Sequence, residues 1–272
     1  MKPNKMIRKD RHGVWLVIGS ILVAIALTGV YLAYNRLRDI YLEQCIITDF
    51  NAQVKITEGK IVKADVIAEE LGVKKNANLA LIDFAEKREA MLKKIPTLRS
   101  LTITRQLPDK ITVVAEDRTP VARINVSGNK KNSGKVVDSE GVVFSFYRGT
   151  SMLPTIYEKN LEASEPGMRL KKRALSALRL LEACRQPEFQ DLGVLDVDIT
   201  KEDYILVTLG NYSRAKIAWE GMDNFSPESK IKMTAQLNEL AMAIRTNTAP
   251  AKMWNATVPG VVTLDPKGNN SL

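Results

Sequence analysis

Residues 14–34 read VWLVIGSILVAIALTGVYLAY, 21 positions without a charge. At helical rise they extend to roughly 30 Å, the thickness of a bilayer's hydrocarbon core. A soluble helix of that length shows a polar face; this one shows none, which predicts a transmembrane helix. Trp15 stands at one end and Tyr31 and Tyr34 at the other, the positions that amphipathic rings take at a membrane interface. Ala24-Ile25-Ala26 has the small residues of a signal-peptide cleavage site, but the apolar run continues past it to Tyr34, as in an uncleaved anchor. Lys2, Lys5, Arg8, Lys9 and Arg11 precede the segment, whereas Arg36 and Arg38 come after it together with Asp39 and Glu43. The positive-inside rule keeps the N-terminal tail, residues 1–13, in the cytoplasm and exports the chain beyond a short linker at 35–48. His12, the lone histidine, belongs to that basic tail.

Beyond the linker the periodicity changes twice. Residues 50–57 end in the strand-like VKIT and break at Glu58-Gly59. Val66, Ile67 and Leu71 recur at helical spacing over 63–71, with Gly72 as C-terminal cap. Asp83 is a good N-cap for a second helix reaching Lys94, with Phe84, Met91, Leu92 and Ile95 on its apolar side and Pro96 ending it. Strict alternation follows in SLTITRQ and KITVVAED, joined at Leu107-Pro108-Asp109 as a hairpin. The order strand, helix, helix, strand, strand predicts two helices over a three-stranded sheet at 49–117.

A strand-rich second unit occupies 118–265, before a polar tail at 266–272. Strands are expected at 121–126, 135–137 and 142–147, with the polar SGNKKNSG between the first two as an exposed hairpin end. A helix over 168–185 aligns Leu170, Ala174, Leu178, Leu181 and Cys184, and its Arg169, Lys171, Lys172 and Arg173 form a solvated face. Further strands fall near 194–200, 204–209, 214–219, 252–256 and 260–264. The helix at 227–245 has Ser226 as N-cap, Pro227 at its first position, and Met233, Leu237, Leu240 and Ile244 on one face. The fold class is therefore α+β: one transmembrane helix, a small α/β unit, and a β domain with two helices.

Composition narrows the function. The net charge of +9 is spread along the chain, with neither zinc-finger spacing nor basic runs interleaved with aromatics, so nucleic acid is not an expected partner. Cys45 and Cys184 are the only cysteines and give no disulfide framework. The sequence has no metal-ligand cluster, no glycine-rich phosphate loop and no histidine outside the tail, so neither metal nor cofactor is expected. Asp196, Asp198, Glu202 and Asp203 alternate with Val197 and Ile199 as the wet face of a strand and its turn.

One stretch poses a catalytic alternative. GTSMLPTI, from Gly149, resembles the nucleophile box of the type I signal peptidases, in which a serine followed by methionine attacks the signal-peptide bond. On that reading Ser151 is the nucleophile of a membrane-anchored serine protease. A serine needs a base and an oxyanion site, and those enzymes resemble one another in a Lys-Arg-x-x-Gly-x-Pro-Gly-Asp box and a Gly-Asp-Asn-x-x-x-Ser box, both absent here. Lys159, Lys171 and Lys172 lie in charged stretches rather than the apolar one a neutral lysine base requires. Ser151 also falls more than a hundred residues beyond the apolar segment. A Pro-anchored structural loop is the expectation.

Across about 220 residues the order of motifs resembles the FtsQ/DivIB family of bacterial cell-division proteins. RQLPDKITVVAEDRTPVA, from Arg105, is similar to that family's junction between POTRA and β domains. KVVDSEGVVF, from Lys135, resembles its Val-Asp-x-x-Gly-x-Val-Phe hairpin, and LPTI, from Leu153, falls where it has a Leu-Pro-x-Leu loop. Thr97 replaces a frequent aromatic, and the family's Asp-Leu-Arg is absent around Trp254-Asn255-Ala256-Thr257. The resemblance implies a non-enzymatic inner-membrane scaffold, its bulk periplasmic and enriched at the division septum, that recruits and regulates septal peptidoglycan synthesis. It implies that FtsB and FtsL bind the C-terminal β domain, a strand of FtsB adding to the last sheet edge, Val261-Val262-Thr263-Leu264. Trp254 is the aromatic anchor, and Lys230 and Met233 on the adjacent helix complete the expected partner-binding set. FtsK is implied as a POTRA partner, and FtsW/FtsI as further divisome neighbours. Arg105 and Arg118 are expected to stabilise the domain junction.

Overall fold

The computed structural model describes residues 10–128, 133–159, 164–224, 226–247 and 253–264, with the side chains from residue 15. Most of the basic tail, the middle of the SGNKKNSG loop, Lys252 and the polar tail lie outside the described residues, and so does the side chain of His12.

Helix α1 (Asp10–Gln44) is 35 residues long, or ~52 Å at 1.5 Å per residue. It runs past Tyr34, and most of the stretch predicted as linker is helical: Arg36, Arg38, Asp39 and Glu43 continue the helix instead of ending it. No glycine or proline interrupts residues 30–44, so nothing in the chain stops the helix. The span from Trp15 is long and apolar enough to cross a membrane. Its serine and threonine hydroxyls are satisfied within the helix, Ser20 Oγ donating to the Val17 carbonyl and Thr28 Oγ1 to that of Ala24, as lipid requires.

The chain, α1 included, divides into two compact units. The first takes in residues up to Glu58, Lys63–Arg88 and Leu101–Ala115; the second takes in Gly59–Val62, Glu89–Ser100 and the chain from Glu116 onward. The elements after α1 begin with one difference from expectation. Residues Phe50–Gln53 are a helical turn, α2, capped by the Asp49 carboxylate, and only Val54–Thr57 is strand, β1. Helix α3 (Ala64–Leu71) ends at Gly72, whose φ of 73° is the left-handed cap that glycine adopts without penalty. Ile67 and Leu71 are buried, whereas Val66 points outward. Helix α4 (Phe84–Lys94) starts at Asp83, whose Oδ1 accepts from the amides of Ala85 and Glu86. Strands β2 (Leu98–Gln106) and β3 (Lys110–Asp117) follow, and the sheet order is β1-β3-β2 with β1 parallel to β3. Leu101, Ile111 and Val113 fill one face, while Thr102 and Thr104 face solvent.

The C-terminal sheet has nine strands in the order β12-β11-β10-β9-β8-β7-β4-β5-β6. These are β4 (Ala122–Val126), β5 (Lys135–Val137), β6 (Val143–Ser145), β7 (Thr155–Glu158), β8 (Asp196–Asp198), β9 (Ile205–Thr208), β10 (Arg214–Ile217), β11 (Met253–Val258) and β12 (Val261–Leu264). β7 is a central strand, parallel to both β4 and β8. It contains Thr155 and Ile156, so half of the LPTI stretch expected to be a loop is sheet. Four residues flanked by proline and a polar segment give too short an alternation to register as a strand. A register row crosses the sheet through Ile124, Ile156, Val197, Val207, Ala215, Trp254 and Leu264.

That row forms the base of one core, completed by α5 (Lys172–Ala183) and α6 (Pro227–Thr246). The first helix is shorter than the predicted 168–185. Residues 168–170 are extended instead, because Gly167 and Met168 are drawn into backbone bonds with Val143. Of the four cations expected in solvent, Arg173 departs: it donates to the carbonyls of Ile199 and Lys201 and lies 5.6 Å from the Trp219 ring centroid. A short 3-10 helix, Pro187–Leu192, adds to the expected elements and buries Phe189 and Leu192.

Candidate partner-binding surface

Among the described residues β12 is the terminal strand of the sheet, bonded on one side only, to β11. Trp254 pairs with Leu264 and Asn255 with Thr263, and the register shifts before Val258 pairs with Val261. Trp254 is 5% exposed and belongs to the core, whereas Leu264 directly opposite is 46% exposed. Val261 and Thr263 are exposed, and Val262 is half-buried against the core. The hairpin is fixed from α6: the Glu239 carboxylate accepts from the Gly260 amide at 2.9 Å, and Gln236 Nε2 donates to the Ala256 carbonyl at 3.4 Å. The Trp254 indole N–H has no partner among the described residues, an uncommon state for a buried donor.

Lys230 and Met233 lie elsewhere on α6. They line a cavity that α6 shares with Arg179, Glu182 and Gln186. Met233 is also part of the core that contains Trp254, whereas Lys230 is exposed. The sequence set therefore divides in two: Trp254 and residues 261–264 mark the sheet edge, and Lys230 and Met233 mark the cavity.

At the opposite end, β6 is not left open. The Val143 amide donates to the Met168 carbonyl at 2.9 Å and the Gly167 amide to the Val143 carbonyl at 2.8 Å, while Val142 bridges to Arg169. The covering segment is tied down by Lys135 Nζ to Glu165 at 2.6 Å and by Ser164 Oγ to Glu158 at 2.6 Å. Burial holds the Glu158 carboxyl above the usual glutamate range, opposed by the Ser164 hydrogen bond and the nearby Lys135.

Arg118 sits within the second unit, donating to the Pro96 carbonyl and pairing with Asp138 at 2.5 Å and Glu140 at 3.2 Å. Asp138 in turn accepts from the amides of Glu140 and Val142, which shapes the turn between β5 and β6. Arg99 bonds the same Glu140 at 2.7 Å and, with Arg118, holds that carboxyl below its usual range. Arg105 does not join this cluster. It donates to the Ile82 carbonyl and lies over the Phe84 ring, inside the first unit, because its place on β2 faces the start of α4.

Ser151 occupies an exposed turn before β7, beside Met152, which is 92% exposed. The neighbouring Thr150 is buried and bonds the Tyr147 carbonyl. Asp198 accepts from Thr200, and burial raises the Asp196 carboxyl. Among the described residues no group of three or more His, Cys, Asp or Glu side chains is placed to hold a metal ion. Burial pushes the Cys184 thiol up to about 12, so it is not a nucleophile at neutral pH.

Among the described residues, one apolar helix of membrane-spanning length precedes a β-α-α-β-β unit and a β-rich unit with two packed helices, an arrangement that fits a single-pass membrane protein. Residues 52–118 match the family described as POTRA domain, FtsQ-type. The chain is 22% identical over 226 residues to the cell division protein FtsQ of Koribacter versatilis (strain Ellin345), a match that takes in 82% of this chain and 60% of that protein. The chain is thus FtsQ-like, with an FtsQ-type POTRA domain following its apolar helix.

Proposed function

We propose that this protein is a non-enzymatic divisome scaffold of the inner membrane, its tail cytoplasmic and its two units periplasmic, enriched at the septum. It recruits and regulates septal peptidoglycan synthesis proteins through protein contacts. The observation that supports this reading is the β12 edge, whose outer backbone groups pair with no described segment; Trp254, expected as the aromatic anchor, is buried in the core beneath it and supports the edge from inside. Strand addition uses such an edge: main-chain bonds supply affinity and alternate side chains supply specificity. The family resemblance supports a strand of FtsB, with FtsL, as the occupant, FtsK as a partner of the POTRA unit, and FtsW/FtsI as further neighbours. Leu264 and Val262 sit where an added strand extends the apolar row of Trp254 and Ala215.

Proline placed in turn at Val262 and Thr263 removes a backbone donor from one or the other side of β12. Binding of an FtsB peptide to the full chain in nanodiscs is expected to weaken about tenfold or more in at least one variant. Unchanged affinity in both, with the circular dichroism of the fold intact, defeats the strand-addition reading. A fluorescent fusion collecting evenly around the cell, rather than at midcell, defeats the septal one.

A further inference from the structure

A cavity of about 390 Å³ lies between α5 and the first two turns of α6. Arg179, Glu182, Ala183 and Gln186 stand at helical spacing i, i+3, i+4 and i+7, so they present one face of α5 and its C-terminal end. Lys230 and Met233 come from α6, next to its capped N-terminus. The volume falls within the roughly 300–1,000 Å³ of pockets that enclose small ligands or anchoring side chains.

The lining selects its occupant by charge. Glu182 already pairs with Arg179 at 2.5 Å, so Lys230 adds a second cation that Glu182 does not balance. The positive end of the α6 dipoles is offset here by Glu228 in the first turn of α6 and by the negative C-terminal end of α5, so the sign rests on the side-chain cations. Met233 and Ala183 supply apolar surface below the charges. A groove between two helix faces, with an apolar floor and a cationic wall, complements an extended chain with aliphatic and acidic residues side by side.

We propose that this cavity docks an acidic segment of a protein partner, an aliphatic side chain resting on Met233 and Ala183 and a carboxylate meeting Lys230 and Arg179. The site is separate from the β12 edge and does not depend on strand addition there.

The test uses the full chain in nanodiscs and a fluorescein-labelled peptide of alternating leucine and aspartate, with alternating leucine and lysine as its counterpart. Anisotropy is expected to rise for the acidic peptide only, and the affinity to fall about tenfold in Lys230→Glu. Because Lys230 is exposed, that variant keeps its fold. With methyl-labelled methionine, the Met233 resonance is expected to move on titration while that of the exposed Met242 stays in place. Equal binding of both peptides, equal affinity in Lys230→Glu, or a still Met233 methyl overturns the proposal. The Val262→Pro variant separates the two sites: a failure of strand addition leaves the peptide titration intact, and a failure here leaves strand binding intact.

Discussion

The two ends of the nine-stranded sheet are treated differently by the same chain. At β6 the outer backbone groups are taken up by residues 167–169, and the covering segment is fastened by an ion pair and a buried carboxylate–hydroxyl bond. At β12 no described segment pairs with the outer edge, although α6 and Glu239 hold the hairpin from within. An open edge is an aggregation liability that proteins blunt or cover. One end of this sheet is covered with the chain's own backbone while the other keeps four residues of strand available. The strand addition proposed above uses the end that no described segment covers.

The largest expected effect concerns the open end. Trp254 joins β11 to the core while its neighbour Leu264 remains half in solvent. Replacing it with alanine removes a buried aromatic from the penultimate strand and leaves a cavity, at a cost of about 3–5 kcal/mol. If the open end is a rigid platform, chemical denaturation of Trp254→Ala loses that amount and strand binding disappears with it. A loss below about 1 kcal/mol would mean the β11–β12 hairpin is loosely attached and the comparison of two firm ends is wrong.

A somewhat smaller loss is expected at the closed end from Asp138→Ala. Asp138 is buried, pairs with Arg118 and accepts two turn amides, so its removal leaves the largely buried guanidinium with Glu140 and the Pro96 carbonyl alone and strands two donors. Roughly 3 kcal/mol is expected. Hydrogen exchange of the Val143 and Gly167 amides should accelerate with it, while exchange in β11 stays as in the parent. Acceleration at both ends alike would show that the ends are not independent.

The contrast between these ends also explains what can be read from the chain. The open end is legible because β12 is a tetrapeptide of apolar and β-branched residues after Pro259-Gly260, a local pattern that needs no tertiary knowledge. α3, α4, α6 and the β2–β3 hairpin are legible for the same reason, having caps and turn residues at their boundaries. The closed end is not: residues 168–170 look like the start of α5, and only pairing with Val143 makes them extended. β7 is hidden likewise, because a four-residue parallel strand draws its stability from neighbours 30 or more residues away, Arg123–Val126 and Asp196–Asp198. The helical run past Tyr34 reads as linker because charges resemble an end signal, although charged residues are good helix formers. The α5–α6 cavity joins residues from two helices about fifty positions apart, and no local pattern announces that.

The smallest expected effect tests how the covering segment is held. Burial raises the Glu158 carboxyl, so between its ordinary value and its raised folded value the folded chain binds more protons than the unfolded one. The stability contributed by this group is therefore complete below the ordinary glutamate range and is lost as pH rises through the folded value. Asp196 and Glu182 are raised by burial and act with the same sign; Glu140, lowered by Arg99, acts with the opposite sign. Glu158→Gln isolates the one contribution, because its carboxamide oxygen still accepts from Ser164 Oγ while its charge no longer needs burying. Urea titrations from acid to neutral pH should show the variant gaining on the parent as pH rises, by an amount that levels off once Glu158 is ionised. Parallel curves, or a variant that falls behind toward neutral pH, would mean that Lys135 and Ser164 stabilise the ionised carboxylate fully and that charge, not neutral burial, fastens the closed end.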